Sequence, residues 1–206
     1  MKPVQFFDFD GVIFDSRADV FQMWREVFAS KGIDFTLDKF YEKFCGDGWT
    51  KTLEMGITLE DQEHFSKIEW ERFGNPEKVL DIFPFSKEIM EALSKKYQLY
   101  FFSNNQTRVL EFVFDHYDLT QFVTYIDGRH DSGKTKLDRV RECIESQKID
   151  TSHSWFVTDT VGDIEVAKNI GLKSLAVTWG YHPLEYLQKA KPTQIINRPK
   201  EILEIL

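Results

Sequence analysis

Short apolar runs recur along the chain, and each gives way to polar or small residues. Residues 4–9, 98–102, 122–126, 155–158 and 174–178, with a weaker run at 194–196, carry the β-type composition that predicts strands. Between them apolar residues fall at helical spacing. Ile89, Met90 and Leu93 follow Ser86, placed to cap their helix. Leu137, Val140 and Ile144 repeat at three and four, and Ile164, Ala167 and Ile170 lead to Gly171 as a stop. Strands alternating with such helices predict an α/β fold built on a mainly parallel sheet.

Residues 16–79 break this alternation. Val20, Phe21, Trp24, Val27 and Phe28 mark an amphipathic helix closed by Gly32; further helical patterns cover residues 37–44 and 62–73, and no strand stands out. The segment reads as a helical insertion directly after the first strand. Its aromatics, Phe21, Trp24 and Phe28, stand at the spacing of core residues. No repeat or low-complexity linker is evident.

Composition narrows the function classes. The 206 residues suffice for one sizeable core with a subsidiary domain, and 42% hydrophobic with 29% charged residues is a globular balance. A net charge of -8 without a basic run disfavours nucleic acid as a partner. Cys45 and Cys143 lack a CxxC context, which disfavours a disulfide framework or structural zinc and suggests a reducing cytosol. Asp8 and Asp10 interrupt the N-terminal apolar stretch, so no signal peptide is expected, and no apolar run approaches the length of a spanning helix, so no membrane span is expected.

In a parallel sheet, ligands gather beyond the carboxyl ends of the strands. Asp8, Asp10 and Asp15 follow the first run, Ser103, Asn104 and Asn105 the second, and Asp159 and Asp163 the fourth; Lys134 and Lys136 lie between the third and fourth. Carboxylates ~4 Å apart would repel by roughly 4 kcal/mol per pair at an effective dielectric near 20. A hard divalent cation such as Mg2+, shared with a substrate phosphate, relieves that repulsion.

The stretches DFDGVIFDS, FFSNN, SGKTK and TDTVGD, in this order, resemble the four motifs of the haloacid dehalogenase superfamily, and the likeness extends over nearly the whole chain. It implies a doubly wound α/β core, residues 1–15 and 80–206, with a small helical cap, residues 16–79, of the phosphoglycolate phosphatase-like type. It implies a Mg2+-dependent phosphatase acting on a small phosphorylated metabolite. Asp8 would be the nucleophile that forms an aspartyl-phosphate, and Asp10 the general acid and base. Ser103, Asn104 and a lysine would bind the phosphoryl group; Asp8, Asp10, Asp159 and Asp163 would hold the metal. Lys136 fits the following helix better and Lys134 fits a loop, with Lys136 favoured. Thr158 stands where many relatives have Gly, and Asn105 at a variable position.

Other readings accompany these. Asp15 is expected to cap the first helix of the insertion rather than join the chemistry. CGDGWTK, with Gly46, Gly48, Trp49 and Lys51, is either a loop that selects the leaving group through Trp49 and Lys51 or a structural turn. His130, His153 and His182 lack transition-metal spacing and are assigned to surface or turns. A phosphomutase, or a non-catalytic interaction protein on the same fold, would retain much of this pattern.

Overall fold

The computed structural model describes residues 2–75, 81–129 and 133–206. The expected boundary at 79/80 and His130 lie outside the described residues. Six strands, β1 (Val4–Phe7), β2 (Gln98–Gln106), β3 (Tyr125–Arg129), β4 (Trp155–Thr158), β5 (Lys173–Val177) and β6 (Gln194–Ile196), form one sheet of order β3-β2-β1-β4-β5-β6. Every pairing is parallel. The order reverses at β1, which places the topological switch point between β1 and β4.

Alternation along the strands covers both faces. Phe7, Leu99, Phe101, Val157, Leu175 and Val177 pack with Ile89, Met90 and Leu93 of α5 (Ser86–Ser94) and with Val109, Leu110 and Val113 of α6 (Thr107–His116). Phe6, Tyr100, Phe102 and Phe156 face the other way, toward Val140 and Cys143 of α7 (Lys136–Gln147) and Ala167 of α8 (Val161–Asn169). This is the doubly wound α/β arrangement.

Among the described residues, four helices occupy the interval between β1 and α5: α1 (Arg17–Ser30), α2 (Leu37–Lys43), α3 (Gly48–Glu54) and α4 (Leu59–Phe73). Trp24 of α1 stacks on Phe65 of α4 with centroids 3.9 Å apart, and Phe28 stacks on Phe35 at 4.3 Å. The two connections into this segment run side by side. Asp15 N–H donates to the Asp81 carbonyl at 3.1 Å and Phe83 N–H to that of Ile13 at 3.0 Å.

Several local expectations need correction. Ser16, not Asp15, is the N-cap of α1, and its hydroxyl is used elsewhere. Phe85 occupies the N-cap of α5, leaving Ser86 buried as the first helical residue, where its hydroxyl donates to the Ile13 carbonyl at 2.9 Å. Residues 48–51 of the presumed CGDGWTK loop are helical, because the Asp47 carboxylate caps α3 by accepting from Thr50 N–H. β3 starts at Tyr125, since Thr120–Phe122 forms a 3-10 turn, and β2 continues past Phe102 through an irregularity to Gln106. The buried stripe of α7 is Lys136, Arg139, Val140 and Cys143 rather than Leu137, Val140 and Ile144.

Candidate active site

The site lies at the switch point, where β1 stops and Asp8 begins. Asp8 N–H still continues the ladder to the Val157 carbonyl, while its carboxylate Oδ1 accepts from Phe9 N–H at 2.8 Å. The chain then turns sharply, with Val12, Ile13 and Phe14 N–H groups all donating to the Phe9 carbonyl. Gly11 makes the turn possible. Its φ is +72°, and a Cβ there would fall 1.9 Å from Oδ2 of Asp159.

Lys136 is buried at the start of α7, with Nζ 3.1 Å from Asp8 Oδ1 and 2.7 Å from Asp163 Oδ2. Lys134 is exposed and pairs with Glu142 at 2.7 Å. The structure therefore brings Lys136, and not Lys134, to the carboxylates. Burial, followed by the charge of Asp163, holds the Asp8 carboxyl well above its usual range. Asp163 also accepts from the Thr158 hydroxyl at 3.3 Å, so the residue standing in place of Gly supplies a donor.

Asp10 is held by neutral donors. Oδ1 accepts from the Ser16 hydroxyl at 2.7 Å and Asn105 Nδ2 at 3.3 Å, and Oδ2 accepts from Ser103 at 3.0 Å. Burial raises its pKa against these hydrogen bonds. Ser103 Oγ in turn accepts from Asn105 N–H at 2.9 Å, and Arg139 braces the strand end by donating to the Ser103 carbonyl at 2.8 Å and to Asn104 Oδ1 at 3.2 Å.

Asp159 is fully buried. Its Oδ2 accepts from Tyr181 N–H at 2.6 Å, its Oδ1 is buried without a hydrogen-bond partner, and burial pushes its pKa to about 7. Lys136 is thus the buried cation paired with Asp8 and Asp163, and it acts on Asp159 only through space. Among the described residues, no group of three or more His, Cys, Asp or Glu side chains is placed to hold a metal ion by itself. Mg2+ does not require one, because it keeps waters and takes one or two carboxylates together with substrate oxygens.

Above these groups a cavity of about 50 Å³ is lined by Asp8, Asp10, Ser103, Asn104, Lys136 and Asp163 from the sheet side. Val20, Trp24, Lys43, Phe44, Trp49, Phe65 and Glu69 line it from the helical segment. Trp49 Nε1 donates to the Asn104 carbonyl at 3.2 Å, and its ring lies 3.8 Å from the Arg129 guanidinium. Lys51 is turned elsewhere, pairing with Glu54 at 2.8 Å. Trp24, read as core, is both buried and part of the wall.

Lys43 and Glu69 escaped sequence reasoning. Lys43 ends a short helix and is 3% exposed, and burial lowers its pKa to about 7. Glu69 is raised to about 7 by burial although Arg129 pairs with it at 3.1 Å and Gln106 donates at 2.7 Å. Only a charged residue on an otherwise apolar helix face hinted at either.

His182 lies in a bend, within the surface-or-turn expectation, but it is buried rather than at the surface. Its Nδ1 accepts from Val161 N–H at 2.9 Å, which leaves Nε2 to donate to the Tyr41 carbonyl at 2.8 Å across to the helical segment. His153 is exposed, as expected. Cys45 and Cys143 are free, and burial raises both thiols, so neither is an activated nucleophile.

Comparison with known proteins agrees with this geometry. The chain is 24% identical over 204 residues to a phosphoglycolate phosphatase of Aquifex aeolicus, covering 97% of this chain and 94% of that one. It is 22% identical to the phosphoglycolate phosphatase of Synechococcus elongatus, covering 96% and 94%. Among solved structures, a predicted phosphatase from Clostridium acetobutylicum superposes with a TM-score of 0.83 at 21% identity, covering 99% of each chain. A haloacid dehalogenase-like family protein from Streptococcus pneumoniae gives 0.79 at 22% identity, covering 98% and 97%. A family model described as haloacid dehalogenase-like hydrolase matches residues 6–177, and the chain belongs to that family of enzymes.

Proposed function

We propose that this phosphatase is Mg2+ dependent and hydrolyses a small phosphomonoester through an aspartyl-phosphate on Asp8. The observation that carries the reading is the pairing of Asp8 with Lys136 beside an Asp10 held by three neutral donors, at one end of one cavity.

Asp8 attacks phosphorus, forming the carboxylate O–P bond as the ester O–P bond breaks. The raised pKa of Asp10 suits it to protonate the departing oxygen. In the second step Asp10 takes a proton from water as that water attacks the aspartyl-phosphate, releasing phosphate and restoring Asp8. Lys136, Ser103 and Asn104 stabilise the charge developing on the phosphoryl oxygens.

The residues fit a cation, because Asp159 Oδ1 is buried without a partner and three carboxylates face a single lysine. Mg2+ would be held by the carboxylates of Asp8 and Asp159 and the backbone carbonyl of Asp10, with Asp163 supporting it directly or through water, and would neutralise phosphoryl charge when bound. Residues 16–79 act as a cap domain on a core of residues 1–15 and 80–206, with Trp49 touching the substrate. Its side-by-side connections and the mostly aromatic wall it adds to the cavity support a cap that opens and closes. Two free thiols support a cytoplasmic setting, and no described helix is long and apolar enough to cross a membrane.

The test is phosphate release from a panel of small phosphomonoesters, with and without Mg2+, by wild type and Asp8→Asn. Release that needs both the metal and Asp8 is expected. Isomerisation without phosphate release would turn the reading to a mutase, and full activity in Asp8→Asn would remove Asp8 as nucleophile.

A further inference from the structure

Arg139 stands one turn after Lys136 on the same face of α7, and both are buried. Its guanidinium joins the tips of two strands. Nη1 donates to the Asp127 carboxylate, to the Asp127 carbonyl at 3.0 Å and to the Gly128 carbonyl at 2.9 Å, all in β3. Nη2 donates to the Ser103 carbonyl at 2.8 Å and to Asn104 Oδ1 at 3.2 Å, both in β2. Nε is buried without a partner, an arrangement that buried donors ordinarily avoid, so the fork is oriented by what its two ends hold.

Both acceptors of Nη2 belong to the stretch that meets the phosphoryl group. A trans peptide is planar, with its C=O and N–H on opposite sides. Holding the Ser103 carbonyl toward Arg139 therefore turns the Asn104 N–H away from it. The same contact fixes the Asn104 side chain, because a guanidinium only donates and must meet Oδ1. Nδ2 is then the free end of the amide, with no hydrogen bond to the described residues, and Asn104 lines the cavity beside Asp8, Ser103 and Lys136. The Asn104 carbonyl is held separately, by Trp49 Nε1 and by Arg129 Nε at 3.1 Å.

We propose that Arg139 is a positioning residue for phosphoryl transfer, aiming the Asn104 N–H and Nδ2 together at the phosphoryl oxygens. The inference rests on the phosphoryl-binding role given above to Asn104 and deepens it. Such donors act best when they are aimed before charge develops, and a planar fork anchored on Asp127 keeps them so. A lysine could keep the Asp127 pair but could not span both strands with the same geometry.

The experiment compares wild type, Arg139→Lys, Arg139→Gln, Asn104→Ala and the double variant of Arg139→Lys with Asn104→Ala, after circular dichroism confirms folding. Calorimetry measures binding of Mg2+ and then, in saturating Mg2+, of inorganic phosphate, and kcat and KM for a small phosphomonoester are followed in parallel. Both Arg139 variants are expected to bind phosphate at least tenfold more weakly, with Mg2+ affinity within twofold of wild type. Asn104→Ala is expected to weaken phosphate binding at least threefold. In that background Arg139→Lys should cost at least threefold less than it does in wild type, because the side chain it aims is gone.

Unchanged phosphate affinity in Asn104→Ala or in a folded Arg139 variant overturns the assignment, as does a wild type that binds no phosphate. Losses that multiply independently in the double variant, or Mg2+ and phosphate affinities that fall together, overturn it as well, since a merely structural brace gives those results. Binding is read without turnover. The expected pattern in a protein that hydrolyses no ester would count against the phosphatase reading and not against Arg139.

Discussion

Replacing Lys43 by Met should make the ligand-free protein more stable at neutral pH. The folded pKa of Lys43 is lowered from 10.5 to about 7 by burial, so between those values the unfolded chain binds the proton more tightly. Stability therefore rises with pH through this window, and the native state at about pH 7.5 carries a penalty of about 4 kcal/mol, three units at about 1.4 kcal/mol each. At that pH Lys43 is mostly neutral, so its ring contacts return little as cation–π attraction. Met keeps an apolar stem among the same rings and cannot ionise, leaving a gain of up to about 4 kcal/mol. Urea unfolding at about pH 7.5 and again near pH 10, without phosphate or other anions, measures it. The gain should shrink as the pH approaches the unfolded value. A loss of stability near neutral pH, or a gain that does not change with pH, would refute the reasoning.

Other substitutions follow from distances given above. Lys136→Met removes the cation shared by Asp8 and Asp163 and should destabilise the metal-free protein by about 3–5 kcal/mol, whereas Lys134→Met should cost under about 1 kcal/mol; equal effects in denaturant unfolding would show that the wrong lysine is assigned. Asp159→Asn should weaken Mg2+ binding and activity together, read by metal titration, and an unchanged titration would remove Asp159 as a ligand. Gly162→Ala is expected to destabilise by about 1–3 kcal/mol although alanine is the better helix former, because a Cβ there would lie 2.4 Å from the Gly46 carbonyl oxygen. Thermal unfolding that shows no loss would mean that the helical segment yields freely at this contact.

The sheet was legible because its strands are short, apolar and well punctuated; β4, β6 and most of β1 and β5 fall where their composition puts them. The motif residues were legible for a related reason: Asp8, Asp10 and Asp159 follow an apolar strand, and Ser103 and Asn104 lie past the apolar part of β2, where polar residues have few structural alternatives. Reading failed where one residue serves two purposes. Ser16 begins a helix, but its hydroxyl is spent on Asp10 and Tyr181. On α7 the buried stripe includes Lys136 and Arg139, so hydrophobic spacing favoured Leu137 and Ile144 instead. Asp47, flanked by glycines, looked like part of a loop although its carboxylate starts α3. Lys43 was invisible for a different reason: its burial depends on rings from α1 and α3 as well as its own neighbour Phe44, a convergence that no local pattern records.

Trp49 spans the seam between the helical segment and the sheet, with its indole N–H on the Asn104 carbonyl and its ring against Arg129. Parting the two halves would strip the indole of a hydrogen bond and a neighbouring cation at once, and would admit water to both its faces. The chain consequently carries its own optical gauge. Emission from Trp49, isolated by comparison with Trp49→Phe, should report each opening in real time, so that the rate of substrate admission can be followed in stopped flow without attaching a dye.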